Sequence, residues 1–226
     1  MEGLDRETLK ANYDRVKEGI PPHVKLIAVS KKRTVAEIQA LYDLGHRVFG
    51  ESYPQELREK QAQLPADIEW HFIGNLQTNK AKYVAPVASL VHTVDGERIL
   101  DELNKRALAA ERQLHVLFQV HIALEETKHG LSEDQLKDMI AAWDPDRWPA
   151  IVPRGLMGMA TNTDDTVQVR REFEGLKTLF DEQRGRPSMR RYPFDQLSMG
   201  MSGDAQLAIQ AGSTMVRIGT ALFGER

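Results

Sequence analysis

Cysteine is absent from the 226 residues, which excludes disulfides, thiolate-ligated zinc and thiol catalysis. Histidine is present but scattered. His23, His46, His71, His92, His115, His121 and His129 include no pair at the spacing that sets two imidazoles on one helix face for zinc, so no metal site is expected. No apolar run approaches the length of a membrane span, and Met1 to Lys10 lacks the apolar stretch of a secretory leader. The chain therefore reads as soluble and cytoplasmic, with no membrane partner. Positive charge is not in excess: the net charge is −3, without the basic footprint of a dedicated nucleic-acid binder. Arg184, Arg186, Arg190 and Arg191 do cluster, and read as a solvated insertion. Low-complexity segments and internal sequence repeats are missing as well.

What is present centres on Lys25-Leu26-Ile27-Ala28-Val29-Ser30-Lys31. Four apolar residues without a break read as a strand buried on both faces, and the segment 25–31 ends on a lysine. An amine held against apolar walls loses solvation of its charged form, which makes the neutral, nucleophilic form accessible. That is the requirement for a Schiff-base lysine. Strand parity puts Lys31 on the face of Ile27 and Val29 and sends Lys32 the other way, so Lys32 and Arg33 read as ordinary loop charges.

Around this segment the chain alternates. Leu4 to Gly19 reads as an amphipathic helix with Leu4, Leu9, Tyr13 and Val16 as apolar contacts, ended by Pro21-Pro22. Thr34-Val35-Ala36-Glu37 and Ser132-Glu133-Asp134-Gln135 are capping boxes, and Ser52-Tyr53-Pro54-Gln55 reads as a third, with Ser52 as N-cap. Further strands are predicted over 47–50, 69–73, 89–94, 114–122, 155–160, 196–199 and 214–218, each followed by a helical segment. The proline-bearing stretch 144–153 reads as a rigid connection, and 185–195 as a polar, basic loop. Eight strands, each followed by helix, fit a closed (β/α)8 barrel with an extra N-terminal helix. The fingerprint GxGxxG of a dinucleotide-binding open sheet does not follow the first strand.

In such a barrel chemistry belongs at the C-terminal strand ends, which here deliver Lys31, Glu51-Ser52, Asn75 with Gln77 and Asn79, Asp95, His121, Thr161-Asn162, Ser202 and Gly219-Thr220. Met199-Gly200-Met201-Ser202-Gly203-Asp204 and Gly219-Thr220 follow strands seven and eight, where barrels bind phosphate through backbone N–H groups and hydroxyls. Arg217, inside strand eight, needs a partner. Either a carboxylate such as Asp204 or Glu51 pairs with it, or it reads a ligand ring or anion. Strand eight neighbours strand one in a closed barrel. A lysine, a phosphate cradle and an arginine in one pocket describe pyridoxal 5'-phosphate (PLP): aldehyde to Lys31, phosphate to the turns, ring nitrogen to Arg217.

Four blocks carry a family resemblance: Ala28 to Lys31, Trp70 to Lys80 (WHFIGNLQTNK), Leu197 to Ser202 (LSMGMS) and Gly212 to Ala221 (GSTMVRIGTA). In this order they resemble the YggS/PROSC family of pyridoxal phosphate homeostasis proteins. The resemblance, from about Lys25 to Gly224, implies one PLP-binding TIM-barrel domain over 1–226, of the alanine racemase N-terminal (type III) kind. It implies Lys31 as the internal aldimine, Ser202, Gly219 and Thr220 on the phosphate, and Arg217 on the ring nitrogen. It also implies a monomer that buffers PLP or delivers it to apo-PLP enzymes. Ser52 stands where the family has asparagine and keeps a hydrogen-bonding group beside the cofactor. His121, also at a family asparagine, reads as a hydrogen-bonded structural residue and His71 as strand packing. Gln77 and Asn79 read either as helix caps or as pocket walls. Lys128 resembles a family lysine suggested for a second, transferable PLP, and reads here as a solvated loop lysine.

An arginine at the ring nitrogen only donates, so it favours the unprotonated nitrogen and weakens carbanion stabilisation. A racemase also needs acid and base groups on both faces of the reacting carbon. Tyr53 is the nearest tyrosine by strand-end position, with Tyr42 and Tyr83 on helices. The reading is a PLP carrier with little or no turnover and no catalytic residue assigned. A weak amino-acid racemase is the alternative, and a cofactor-free barrel aldolase using Lys31 is the third.

Overall fold

The computed structural model describes residues 5–125 and 127–225; Leu4, assigned to the opening helix from the sequence, lies outside them. Helix α1 (Arg6–Glu18) precedes β1 (Lys25–Val29). The alternation continues through α2 (Val35–Asp43), β2 (Val48–Glu51), α3 (Pro54–Gln61), β3 (Glu69–Phe72), α4 (Ala81–Val84), β4 (Leu90–Val94), α5 (Glu97–Ala109) and β5 (Leu114–Val120). It closes with α6 (Glu133–Ala141), β6 (Ile151–Gly158), α7 (Thr166–Arg184), β7 (Gln196–Ser198), α8 (Ala205–Gln210), β8 (Met215–Ile218) and α9 (Thr220–Phe223). The eight strands pair in sequence order, all parallel, and β8 pairs back onto β1 to close a (β/α)8 barrel. Two of the predicted capping boxes form: Thr34 and Ser132 each accept the backbone N–H three residues on, and Glu37 and Gln135 reach back to the cap.

Strand alternation sorts the apolar residues into two layers. Ile27, Leu90, Leu117, Met157 and Met215 pack together inside the barrel. A larger layer, with Ala28, Phe49, Phe72, Phe118 and Val216 on its strand side, joins the wall to the helices. At about 25 cal/mol per Å² of apolar area this outer layer supplies most of the folding drive.

Several predicted boundaries shift for physical reasons. The first strand's ladder ends at Val29 instead of Lys31. Strand β6 begins at Ile151 and includes Pro153, which the sequence reading placed in the connection. The β5–β6 register slips there, Val116 facing Pro153 and Leu117 facing Gly155, and a bulge is where a strand tolerates proline. Ser52 is not a cap: Tyr53 is the N-cap of α3, without a side-chain cap bond, and Pro54 follows at the first helical position. The segment 185–195 is not a mere polar insertion. Met189 and Phe194 are buried, and Trp143 Nε1 donates to Tyr192 Oη (3.1 Å).

Gly155 adopts φ +145°, and a Cβ there would lie 1.8 Å from the Gln196 carbonyl oxygen, its β7 pairing partner. Gly155→Ala is expected to cost roughly 3 kcal/mol or more in urea unfolding. Gly175→Ala, with open space on exposed helix surface, should instead gain up to about 1 kcal/mol. A second prediction concerns acid. Burial pushes His46 down to about 4, its ring donating to the Val48 carbonyl (2.7 Å) between the rings of Tyr13 and Phe49. A histidine whose folded pKa lies below its unfolded value loses stability as pH falls through that interval. Stability should therefore be full above about pH 6.5 and decline toward pH 4, by about 3 kcal/mol for His46 alone. Thermal melts at pH 7 and pH 5 measure it.

Candidate functional site

Lys31 sits in the turn immediately beyond β1, half-buried. Ser30 extends the strand by one bond, its N–H donating to the Gly50 carbonyl (2.9 Å). The turn is then sharp: Lys32 takes the left-handed conformation (φ 60°), and its N–H donates to Glu56 Oε2 (2.7 Å). Lys32 is exposed, as a loop charge is, whereas Arg33 is not an ordinary loop charge. The Arg33 side chain is only 9% exposed, pairs with Glu37 (3.2 Å), donates to the Gly224 carbonyl and lies over the Phe223 ring (5.3 Å). Position 31 is clamped from the α3 side by Glu56 and from the C-terminal side by Arg33.

Behind the turn lies a charged knot that the sequence did not reveal. Lys60 of α3 is buried and donates to the Ser30 carbonyl (2.8 Å), Glu51 Oε1 (2.7 Å) and Glu56 Oε2 (2.7 Å). Ser30 Oγ donates to the same Glu51 oxygen (2.7 Å), while Glu51 Oε2 is buried without a hydrogen-bond partner among the described residues. Burial raises the Glu51 carboxyl above its ordinary value, against the pull of Lys60. The i, i+4 pair Glu56–Lys60 and the buried Glu51 at the end of β2 together hold the first turn against α3.

Glu51 is thus committed to Lys60 and Asp204 Oδ1 accepts the Met201 N–H (2.5 Å), so the charge of Asp204 acts on Arg217 without a hydrogen bond to it. Arg217, opposite Ile27 in the β1–β8 pairing, is 4% exposed. One terminal nitrogen donates to Ser198 O (2.9 Å) and Ser198 Oγ (2.6 Å), and the other to Gly158 O (3.1 Å). These bonds take three of the five N–H groups of the guanidinium fork. Burial lowers its pKa to about 10, so it stays cationic at neutral pH.

The turn after β8 lies against the end of β1: a Cβ on Gly219 would meet Val29 Cβ at 3.2 Å. Gly219 and Thr220 are in this way brought next to the strand that delivers Lys31, with the Thr220 side chain exposed. Ser202 is exposed in the turn after β7 and does not cap α8, whose N-cap is Asp204. A groove of about 220 Å³ runs past Ser202, Ala205 and Ile218 to Val16 of α1 and to Ile20 just beyond it. It lies outside the barrel wall and not at the mouth. Ser52 is half-buried after β2, and its carbonyl is so close to β3 that a Cβ on Gly74 would sit 2.1 Å from it. Only glycine allows that approach.

Across the mouth, a polar cavity of about 690 Å³ is lined by Asn75, Gln77, Asn79, Asp95, Arg98 and His129 among others. Gln77 and Asn79 are thus pocket walls, and Gln77 makes no cap bond. His121 bonds the Glu125 carbonyl (2.9 Å), as a structural residue does. Lys128 is half-buried and held in place: it donates to the Ala160 carbonyl (2.6 Å) and pairs with Glu125 (2.9 Å). Nor is His71 mere packing. It bonds His92 and Glu69 inside the barrel.

A closed parallel barrel with a lysine turn after β1, a buried arginine on β8 and a glycine turn beside them defines a class of barrel, and the comparisons place the chain within it. Residues 4–226 match the family described as alanine racemase, N-terminal domain, and the chain belongs to that family. It is similar to proteins named pyridoxal phosphate homeostasis protein. The one from Pasteurella multocida is 41% identical over 206 residues, 90% of this chain and 87% of the relative. The one from Vibrio alginolyticus is 39% identical over 233 residues, 100% of this chain and 97% of the relative. Among solved structures, PipY of Synechococcus elongatus without PLP superposes with a TM-score of 0.88 at 31% identity, covering 96% of this chain and 100% of PipY. The same protein with PLP bound gives 0.85 at 30% identity, with the same coverage.

The knot yields a prediction. Lys60→Met strands the buried Glu51 carboxylate without its cation and should destabilise by about 3–5 kcal/mol. Adding Glu51→Gln removes the stranded charge and should return part of that loss. Urea unfolding of the single and double variants measures both.

Proposed function

We propose that this chain binds pyridoxal 5'-phosphate and serves in its homeostasis, holding the cofactor and releasing it with little or no turnover. The observation that carries the reading is Arg217: a buried guanidinium whose contacts are oxygens of Ser198 and Gly158, on the strand beside the one that presents Lys31. A permanent cation kept in a barrel with no carboxylate hydrogen-bonded to it among the described residues has a use if it faces a ligand. PLP, when bound, supplies an aldehyde and an electron-withdrawing ring.

The residues present fit that group. Lys31 is the amine that adds to the aldehyde, with loss of water, and its turn is fixed by Glu56 and Arg33. Arg217 donates to the ring nitrogen and, as a donor only, keeps it unprotonated, which limits carbanion chemistry. Ser202, Gly219 and Thr220 hold the phosphate, and Ser52 lies by the ring. Delivery to apo-enzymes that use the same cofactor, from a cytoplasmic monomer folded as one domain, belongs to the same proposal. The names of the relatives and the PLP-bound PipY structure support it.

The tyrosines speak against racemisation. Tyr42 Oη donates to Asp67 (2.7 Å), and Tyr83 lies beneath the cations of Arg58, Lys80 and Lys82. Tyr53 alone of the three stands exposed near the end of β2. Circular dichroism of L-alanine or L-serine with the loaded protein tests turnover, and sustained racemisation lost in Lys31→Ala would make the chain an enzyme.

Purified protein with added PLP is expected to show a visible absorption band, and borohydride followed by peptide mass analysis should place the adduct on Lys31. Lys31→Ala should lose both. Absence of the band in the native sequence overturns the proposal. Borohydride trapping of a keto acid or sugar without PLP would favour an aldolase.

A further inference from the structure

The interior of a TIM barrel is ordinarily filled by branched apolar side chains in layers. Here a line of polar side chains runs through it. At the N-terminal mouth Lys25 of β1 donates to Glu69 Oε1 of β3 (2.7 Å). The same oxygen is 2.9 Å from His71 Nε2. His71 Nδ1 is 2.9 Å from His92 Nε2 on β4, and His92 Nδ1 is 3.0 Å from Ser198 Oγ on β7. Ser198 Oγ in turn accepts from Arg217 (2.6 Å). His71 and His92 are fully buried, and Ser198 also. Each link crosses from one strand to another or climbs one strand, so the line connects the two ends of the barrel.

Its two ends fix its direction. A guanidinium only donates and a carboxylate only accepts. Glu69 accepts from His71 Nε2–H, so a neutral His71 accepts at Nδ1 from His92. A neutral His92 in turn accepts at Nδ1 the hydrogen of Ser198 Oγ, which itself accepts from Arg217. Both rings thus carry their proton on Nε2. Every hydrogen bond points from Arg217 toward Glu69, and both imidazoles are neutral. Burial lowers both histidines, consistent with that state. The hydrogen bond from His71, with Lys25 adding to it, holds Glu69 at about 2, so it is ionised.

We propose that Glu69, His71, His92 and Ser198 form a polarised relay through which the carboxylate at the N-terminal mouth serves as the distant counter-charge of Arg217 and positions it. No proton has to move. Aligned dipoles in a medium of low dielectric strengthen one another, and they extend the influence of one charged end to the other. The four are positioning residues, and their action at the cofactor rests on the PLP reading above. The mouth around Glu69 also holds Lys25, Arg112, His115 and Arg154, the last paired with Asp195 (2.9 Å). At the other end Asp204 faces Arg217 electrostatically. A cavity of about 420 Å³ opens onto Glu69 and Lys25, so solvent conditions at one end of the barrel reach the site at the other.

The test has two arms. In the ligand-free protein, imidazole nitrogen NMR at neutral pH is expected to show His71 and His92 both as neutral Nε2–H tautomers. Glu69→Gln, which keeps an acceptor and removes the charge, should shift the nitrogens of His92, which Glu69 does not touch. In the PLP-loaded protein, losing a negative charge disfavours cations, so Glu69→Gln should lower the pH midpoint of the visible band by about half a unit. An Nδ1–H tautomer at either histidine overturns the relay without any variant. So does an unmoved His92 in folded Glu69→Gln. Moved histidines with an unmoved midpoint overturn its action on the site. If no visible band forms at all, the cofactor reading fails, and the nitrogen shifts alone decide the relay.

Discussion

Arg217 is a charge in a place where charges are expensive, and much of the barrel is arranged around that cost. The guanidinium is enclosed among strands and pairs directly with no carboxylate among the described residues. Removing an ion from water costs several kcal/mol even after relaxation, and oxygens that accept from it recover part. Ser198 supplies two of those oxygens, and its position on β7 is set by a strand of only three residues whose other face packs outward through Leu197. An apolar residue at 217 would be the cheaper choice for stability alone. That an arginine stands there points to a ligand-directed role.

The second buried charge, Lys60, follows different logic. It is neutralised locally by Glu51 and Glu56 and joined to the main chain at Ser30. It serves geometry: it braces the end of β1 against α3, so the lysine turn starts from a fixed point. The two arrangements flank Lys31 from opposite directions. One sets where the turn begins, and the other what lies on the neighbouring strand.

The barrel itself was legible because its strands are short apolar runs separated by caps and helices, and because glycine and hydroxyl residues gather at the strand ends. Lys31, Arg217, Gly219 and Thr220 could be read as neighbours from β8 meeting β1. Pairing inside the barrel could not be read. Whether Arg217 finds Asp204, Glu51 or a serine depends on side-chain reach across three strands, which no one-dimensional pattern encodes. His71 looked like packing because a strand histidine at core parity carries no mark of its partner, and His92 and Ser198 carried no signal for the same reason. Lys60 is one turn beyond Glu56 on a helix that reads as polar, so its burial was hidden. The boundary error at Pro153 arose because proline usually breaks a strand and here sits in a bulge.

Arg33 joins distant parts of the chain: it grips Gly224 and Phe223, and Asn12 of α1 donates to the Leu222 carbonyl (3.2 Å). The turn that carries Lys31 is translated early yet fastened by residues translated about 190 positions later. During synthesis this turn must therefore wait, incomplete, until β8 and α9 leave the ribosome and close the ring. Order of assembly thereby becomes a safeguard, because the turn that presents Lys31 takes its final shape only once the residues that fasten it have been made.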